Sequence, residues 1–134
     1  MIVKNDVFFQ DVKAIIDTQD VIFKVKGTSM WPFFKDGKTT ITLTKPKQLK
    51  RLGIYLFEID NKFFLHRLIK IKKENYIFQG DGLISKEIVK KDQIVGFVSA
   101  YQTKKQIYTY HKRYKLRVFL YRLLPRRIIL KVFK

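Results

Sequence analysis

From Val21 to Tyr101 the chain alternates short apolar runs with turn signals. The runs cover 21–25, 39–44, 54–59, 62–72, 75–79 and 94–101 and are rich in Val, Ile, Tyr and Phe, residue types that suit a pleated, half-buried surface. Asp36-Gly37, Lys45-Pro46, Asp60-Asn61 and Glu74-Asn75 separate them, and such pairs favour turns. Within the runs the period is two. Val21, Phe23 and Val25 share one face, opposite Lys24 and Lys26, and Phe64, His66 and Leu68 alternate with Leu65, Arg67 and Ile69. The pattern predicts a mainly β domain over 21–103, a compact barrel or coiled sheet with a hairpin at Ile59-Asp60-Asn61-Lys62. Outside it the spacing becomes helical. Phe8, Val12, Ile15 and Ile16 mark an N-terminal helix within 1–20, with Asn5 as its cap and Asp6 near its positive end. In the segment 104–134, Leu116, Phe119, Leu120, Leu123 and Leu124 form one stripe before Pro125, and Ile128, Ile129, Val132 and Phe133 continue it.

A chain of 134 residues is one domain with one core. It has no cysteine, so a disulfide scaffold, a thiolate metal site and a cysteine nucleophile are excluded, and no metal or cofactor is expected. The net charge of +18 is unevenly placed. No Asp or Glu follows Asp92, and residues 101–134 carry eleven Lys or Arg. A basic excess gathered in a tail points to an anionic surface, lipid or nucleic acid; the lysine and isoleucine bias of an A/T-rich genome is the plainer reading. Residues 1–17 lack the apolar core of a secretory signal or a membrane span, because Asp6, Gln10, Asp11, Lys13 and Asp17 interrupt them.

Candidate chemistry centres on Gly27-Thr28-Ser29-Met30-Trp31-Pro32. A serine just past a strand end, with glycine two residues before and proline three after, can present its hydroxyl and its own N–H to one carbonyl. Serine needs a base to act as a nucleophile. The chain has two histidines, and His111 lies in the basic tail, leaving His66; imidazole titrates near neutrality, as a general base should. Asp81, in the turn Gly80-Asp81-Gly82, is the leading candidate to orient that imidazole, with Asp36 and Glu87 as fallbacks. The Ser29 N–H, with Thr28 and Gly27 beside it, would hold an oxyanion, and Met30, Trp31 and Pro32 would line the substrate. Plainer roles stand beside these: Ser29 and Asp81 as turn residues, His66 as a packed histidine, Trp31 and Phe33-Phe34 as core, and Arg67 paired with Asp36 or Asp81.

These motifs, in this order, resemble the boxes of the type I signal peptidases, relatives of the self-cleaving phage and SOS repressors. G-x-S-M-x-P over 27–32 resembles their nucleophile box, and Leu49-Lys50-Arg51-Leu52-Gly53-Ile54-Tyr55-Leu56-Phe57 resembles K-R-G-D-I-V-L-F, with Leu52 inserted and Ile54 in place of the acid. His66-Arg67 is similar to the base box of the His-type members, Gly80-Asp81-Gly82 to G-D-N with Gly82 for Asn, and Ile94-Val95-Gly96-Phe97-Val98 to the closing strand. The resemblance spans about residues 21–100 and implies a serine endopeptidase with a Ser29/His66 dyad, cutting extended precursor peptides near a membrane. Signal peptidases usually begin with membrane anchors, for which residues 1–20 offer no counterpart. The repressors' DNA-binding helices and linker have none before Val21 either, which disfavours self-cleavage.

The tail is the expected substitute for an anchor. Leu116, Arg117, Phe119, Leu120, Arg122, Leu123, Arg126 and Arg127 describe a basic amphipathic helix lying in a membrane interface, on the cytoplasmic face by default. Docking of that helix on the β domain or on a second subunit, and a nucleic-acid-binding arm, are the competing readings. From another class comes a catalytically weak or inactive module of the same fold that binds peptide, anionic membrane or nucleic acid.

Overall fold

The structure, a computed structural model, describes residues 2–3, 6–103 and 106–124. Asn5, Arg126, Arg127 and the apolar positions after Pro125 lie outside the described residues. The elements in chain order are β1 (Ile2–Val3), α1 (Asp6–Ile15), β2 (Val21–Lys24), β3 (Thr40–Thr44), β4 (Ile54–Ile59), β5 (Lys62–Lys72), β6 (Asn75–Gln79), β7 (Glu87–Val89), a 3₁₀ turn (Lys91–Gln93), β8 (Ile94–Thr103), β9 (Gln106–Thr109) and α2 (Lys112–Leu123). One sheet runs β2-β3-β8-β4-β5-β6-β7, with β1 added to β5 and β9 to β8. Every pairing is antiparallel. The protein is mainly β, with a helix at each end of the described chain.

Register shifts at Thr42/Leu43, Leu56/Phe57 and Leu68/Lys70 coil this sheet, since an extra residue on one strand bends it and adds twist. The coil lets the long strand β5 be covered on both sides. One core gathers Phe9, Val12, Ile41, Leu43, Phe63 and Leu65, and the other gathers Tyr55, Phe57, Leu68, Phe78 and Val89. Because side chains alternate across a strand, His66 enters one side and Arg67 the other, and both are buried.

The helix α1 lies within 1–20, but its inward stripe is Phe9, Val12 and Ile16, with Phe8 at the margin, while Ile15 is 38% exposed. Aromatic packing decides this rotation: the Phe9 ring meets Phe23 and Phe63 with centroids 5.3 and 5.7 Å apart. Three strands lie outside the predicted runs, the two-residue β1 among them. β7 has three residues, and β9 lies past residue 103, so the sheet extends into the segment read as tail.

The tail helix α2 is capped by His111, whose Nδ1 accepts from the Tyr114 N–H, and it ends at Leu124, just before Pro125. It docks on the domain through Tyr114 and Val118, both buried, and through Tyr121. The aliphatic stripe Leu116, Phe119, Leu120, Leu123 and Leu124 faces away and is about half exposed.

Phe63 joins α1 to the sheet with no exposed surface. Phe63→Ala is expected to cost about 3–5 kcal/mol in urea unfolding, the range for truncating a buried phenylalanine. Ile22→Ala, on an exposed strand position, should stay within about 0.5 kcal/mol.

Candidate active site

After β2 the chain leaves the sheet through Val25, whose N–H donates to the Thr39 carbonyl. It then turns at Gly27, where φ is +97° and the N–H donates to Asp36 Oδ1 at 2.8 Å. A side chain at that φ would be strained, so glycine sets the direction in which the next residues leave. Bonds from Trp31 N to Thr28 O and from Phe34 N to Met30 O close successive turns over 28–34. They carry Ser29 to the rim of a cleft of about 380 Å³ lined by Gly27, Thr28, Ser29, Phe64, His66, Leu83, Ser85 and Glu87.

Two features make this cleft chemically distinctive. The Ser29 hydroxyl oxygen is buried and has no hydrogen-bond partner among the described residues, though the residue retains 8% exposure. An unsatisfied buried hydroxyl costs about 1–3 kcal/mol. His66 is held from behind: its Nδ1 lies 2.5 Å from Glu87 Oε1, and the Phe57 and Phe64 rings flank the imidazole. A carboxylate on Nδ1 keeps the proton there and makes Nε2 the basic nitrogen. Hydroxyl, imidazole and carboxylate thus line a single cleft, each from a different part of the chain. They come from the loop after β2, the middle of β5 and the start of β7.

The loop holding Ser29 is braced from the turn 80–82. The Gly82 N–H donates to the Ser29 carbonyl at 2.7 Å, and the Asp81 N–H points at Met30 Sδ at 3.4 Å. The approach is close enough that a Cβ on Gly80 would stand 2.4 Å from the Ser29 carbonyl oxygen. Glycine is therefore required at position 80.

A family model described as Peptidase S24-like matches residues 3–99, from β1 into β8. The chain belongs to this family. It is the family of the self-cleaving repressor peptidases and is related to the signal peptidases, the group whose boxes the sequence resembles. Comparison with curated proteins gave no match. Family and fold together make the β domain a serine-peptidase-type structure.

Against this peptidase frame, two expectations from the sequence need correction. Asp81 does not sit as the orienter of the His66 Nδ1; Glu87 takes that place. Asp81 is fully buried in a forked ion pair, accepting from Arg67 Nε at 2.9 Å and from Nη2 at 2.8 Å. The alternation of β5 explains the exchange, since Arg67 and His66 project to opposite sides and the turn 80–82 lies on the Arg67 side. Asp36 is used in bonding the Gly27 N–H. The second correction concerns Met30, Trp31 and Pro32, none of which lines the Ser29 cleft. Met30 is core, Trp31 is half-buried with Lys35 over its ring, and Pro32 borders a separate groove beneath α2. The turns after Ser29 direct these side chains away from the cleft, which is walled instead by Phe64 and Leu83.

On α2, Leu116, Phe119, Leu120 and Leu123 face outward and Arg117 lies over the Tyr108 ring at 5.3 Å. Arg122 points inward, donating to Gln79 Oε1 at 3.1 Å, and so is a docking residue. Glu87 was legible only as one of three acids; a carboxylate opening a short strand gives no periodic signal.

The two carboxylates should separate experimentally. Asp81→Asn leaves the buried Arg67 charge without its counter-ion and is expected to lower stability by about 3–5 kcal/mol in urea unfolding. Glu87→Gln keeps an amide oxygen to accept from His66 Nδ1 and should cost less, about 1 kcal/mol, the net worth of one hydrogen bond.

Proposed function

We propose that the chain is a serine endopeptidase in which Ser29 is the nucleophile, His66 the general base and Glu87 the group that orients His66. The observation that carries this reading is the unpartnered Ser29 hydroxyl sharing one cleft with a carboxylate-held imidazole. In this mechanism His66 Nε2 takes the Ser29 proton as Oγ attacks the peptide carbonyl. The resulting oxyanion is held by the Ser29 and Thr28 backbone N–H groups, and the Glu87 carboxylate stabilises the imidazolium. The imidazolium then protonates the leaving amine. Water, deprotonated by the same base, releases the acyl group and regenerates Ser29. The substrate is an extended segment of a peptide or protein precursor, seated in the cleft between the 27–29 loop and the Phe64 and Leu83 side chains.

A panel of serine-acylating probes with intact-mass detection tests this. Wild-type protein should gain one adduct, mapped to Ser29 and absent in Ser29→Ala. His66→Ala should slow labelling by about 10²- to 10⁴-fold, the usual contribution of a general base. A folded protein that no probe acylates would instead be a peptide-binding module of the peptidase fold.

The outer face of α2 supports a second element of function, attachment to an anionic membrane. Its exposed apolar stripe is flanked by Lys112, Arg113, Lys115 and Arg117, in a stretch with no acidic residue, and such basic residues are attracted to an anionic lipid surface. No helix among the described residues is long and apolar enough to cross a membrane. The full chain should sediment with vesicles containing phosphatidylserine, less so as salt rises, since each basic residue near such a surface contributes about 1 kcal/mol. Replacing Leu116, Phe119 and Leu120 by serine should abolish the binding without lowering the melting temperature. Equal binding to neutral phosphatidylcholine vesicles would reject an anionic membrane as the partner.

A further inference from the structure

We infer that α2 is a positioning element for the nucleophile loop, acting through the hydroxyls of Tyr121 and Tyr114 on the turn 80–82; this rests on the reading of Ser29 as nucleophile. The turn is held from both sides. On one side it carries Ser29, through Gly82 N–H to the Ser29 carbonyl, and Met30, through Asp81 N–H to Sδ. On the other side the Tyr121 hydroxyl donates to the Asp81 carbonyl at 2.7 Å. The Tyr114 hydroxyl accepts from Arg67 Nη2 at 2.7 Å, and Arg67 grips the Asp81 carboxylate. Arg122 adds a third tie, to Gln79, whose own amide donates to the Ile84 carbonyl on the way to Ser85 and Glu87. Two side chains of one helix, Tyr121 and Arg122, therefore end on the segment that braces Ser29 and leads to Glu87, and Tyr114 reaches it through Arg67.

The rings bind the same region. Phe33, four residues after Ser29, packs edge-on against Tyr114 and Tyr121 with centroids 5.9 and 5.5 Å apart, and the Arg67 guanidinium lies over both Phe33 and Tyr114. The nucleophile loop is thus gripped at Ser29 from the turn and at Phe33 from the helix. The helix α2 lies beyond the segment that matches the peptidase family, so this support reaches the matched domain from outside it. Tyr114 and Tyr121 lie on the Arg67 side of β5, outside the cleft lining, so they are positioning residues acting through the backbone of 80–82.

The test uses Tyr114→Phe, Tyr121→Phe and the double variant, which keep the rings and remove only the hydroxyls, with Ile22→Ala, at an exposed position of β2, as control. Hydrogen exchange at the Gly82 amide should rise roughly five- to tenfold in the double variant, the effect of losing about one net hydrogen bond. Exchange at Leu56 and Leu65 in the central strands should stay unchanged. With a serine-acylating probe, the maximal acylation rate should fall about tenfold at unchanged probe affinity, and Ile22→Ala should match wild type. Equal acceleration of exchange at Gly82, Leu56 and Leu65 would reduce α2 to general stabilisation and overturn the inference, as would unchanged exchange at Gly82. If wild-type protein is not acylated at all, the nucleophile assignment fails, and the Gly82 exchange still decides whether α2 braces the turn.

Discussion

The buried pairing of Arg67 with Asp81 is the constraint on which the arrangement of the site depends. Both side chains are fully buried, and removing two ions from water costs several kcal/mol each. Burial by itself would lower the Arg67 pKa; the Asp81 carboxylate and then the Tyr114 hydroxyl outweigh it, so the guanidinium is held charged more firmly than in water. Such a pair is tolerable only where the remaining donors are also satisfied. Here Nη1 donates to the Leu52 carbonyl and Nη2 reaches Tyr114 as well as Asp81. Each of these partners is thereby fixed: the loop before β4, the turn after β6 and the C-terminal helix converge on one planar cation in the middle of β5.

One residue away on the same strand, His66 projects to the opposite side. The strand therefore has two distinct sides: Ser29, His66 and Glu87 line the cleft on one, and the ion pair, Phe33 and α2 meet on the other. The segment 79–87 connects the two sides. It starts at Gln79 beside Arg122, passes Asp81 and the Gly82 bond to Ser29, and reaches Glu87 on His66. A displacement of this segment would move the Ser29 carbonyl and the carboxylate on His66 together.

How much of this was legible follows from the range of each signal. A strand such as β3 shows a period of two because one of its faces is the more deeply buried, and Ser29 and His66 stand in short motifs that make them candidates. Glu87 and Asp81 could not be told apart, because which carboxylate meets the imidazole depends on the two sides of β5 and on the register of the three-residue β7. The tail displayed its aliphatic stripe, and that stripe turned out to face away from the domain. Its docking face was hidden in the sequence because Tyr114 and Tyr121 act through ring and hydroxyl together, and the worth of a buried hydroxyl depends on a partner from another element.

The departures of this chain from the signal-peptidase boxes also fall on that network. Ile54 stands where those boxes carry an acid, and in the β4–β5 register it lies directly opposite Arg67, on the same face. An acid there would be a second carboxylate for the guanidinium. With an isoleucine at 3% exposure, the guanidinium needs other oxygens, and they come from the inserted Leu52, in a left-handed turn with φ of +72°, and from Tyr114 on α2. Ile54, Leu52 and α2 therefore all bear on the set of oxygens around Arg67. The cation keeps its place, and so does the turn that carries the Ser29 loop.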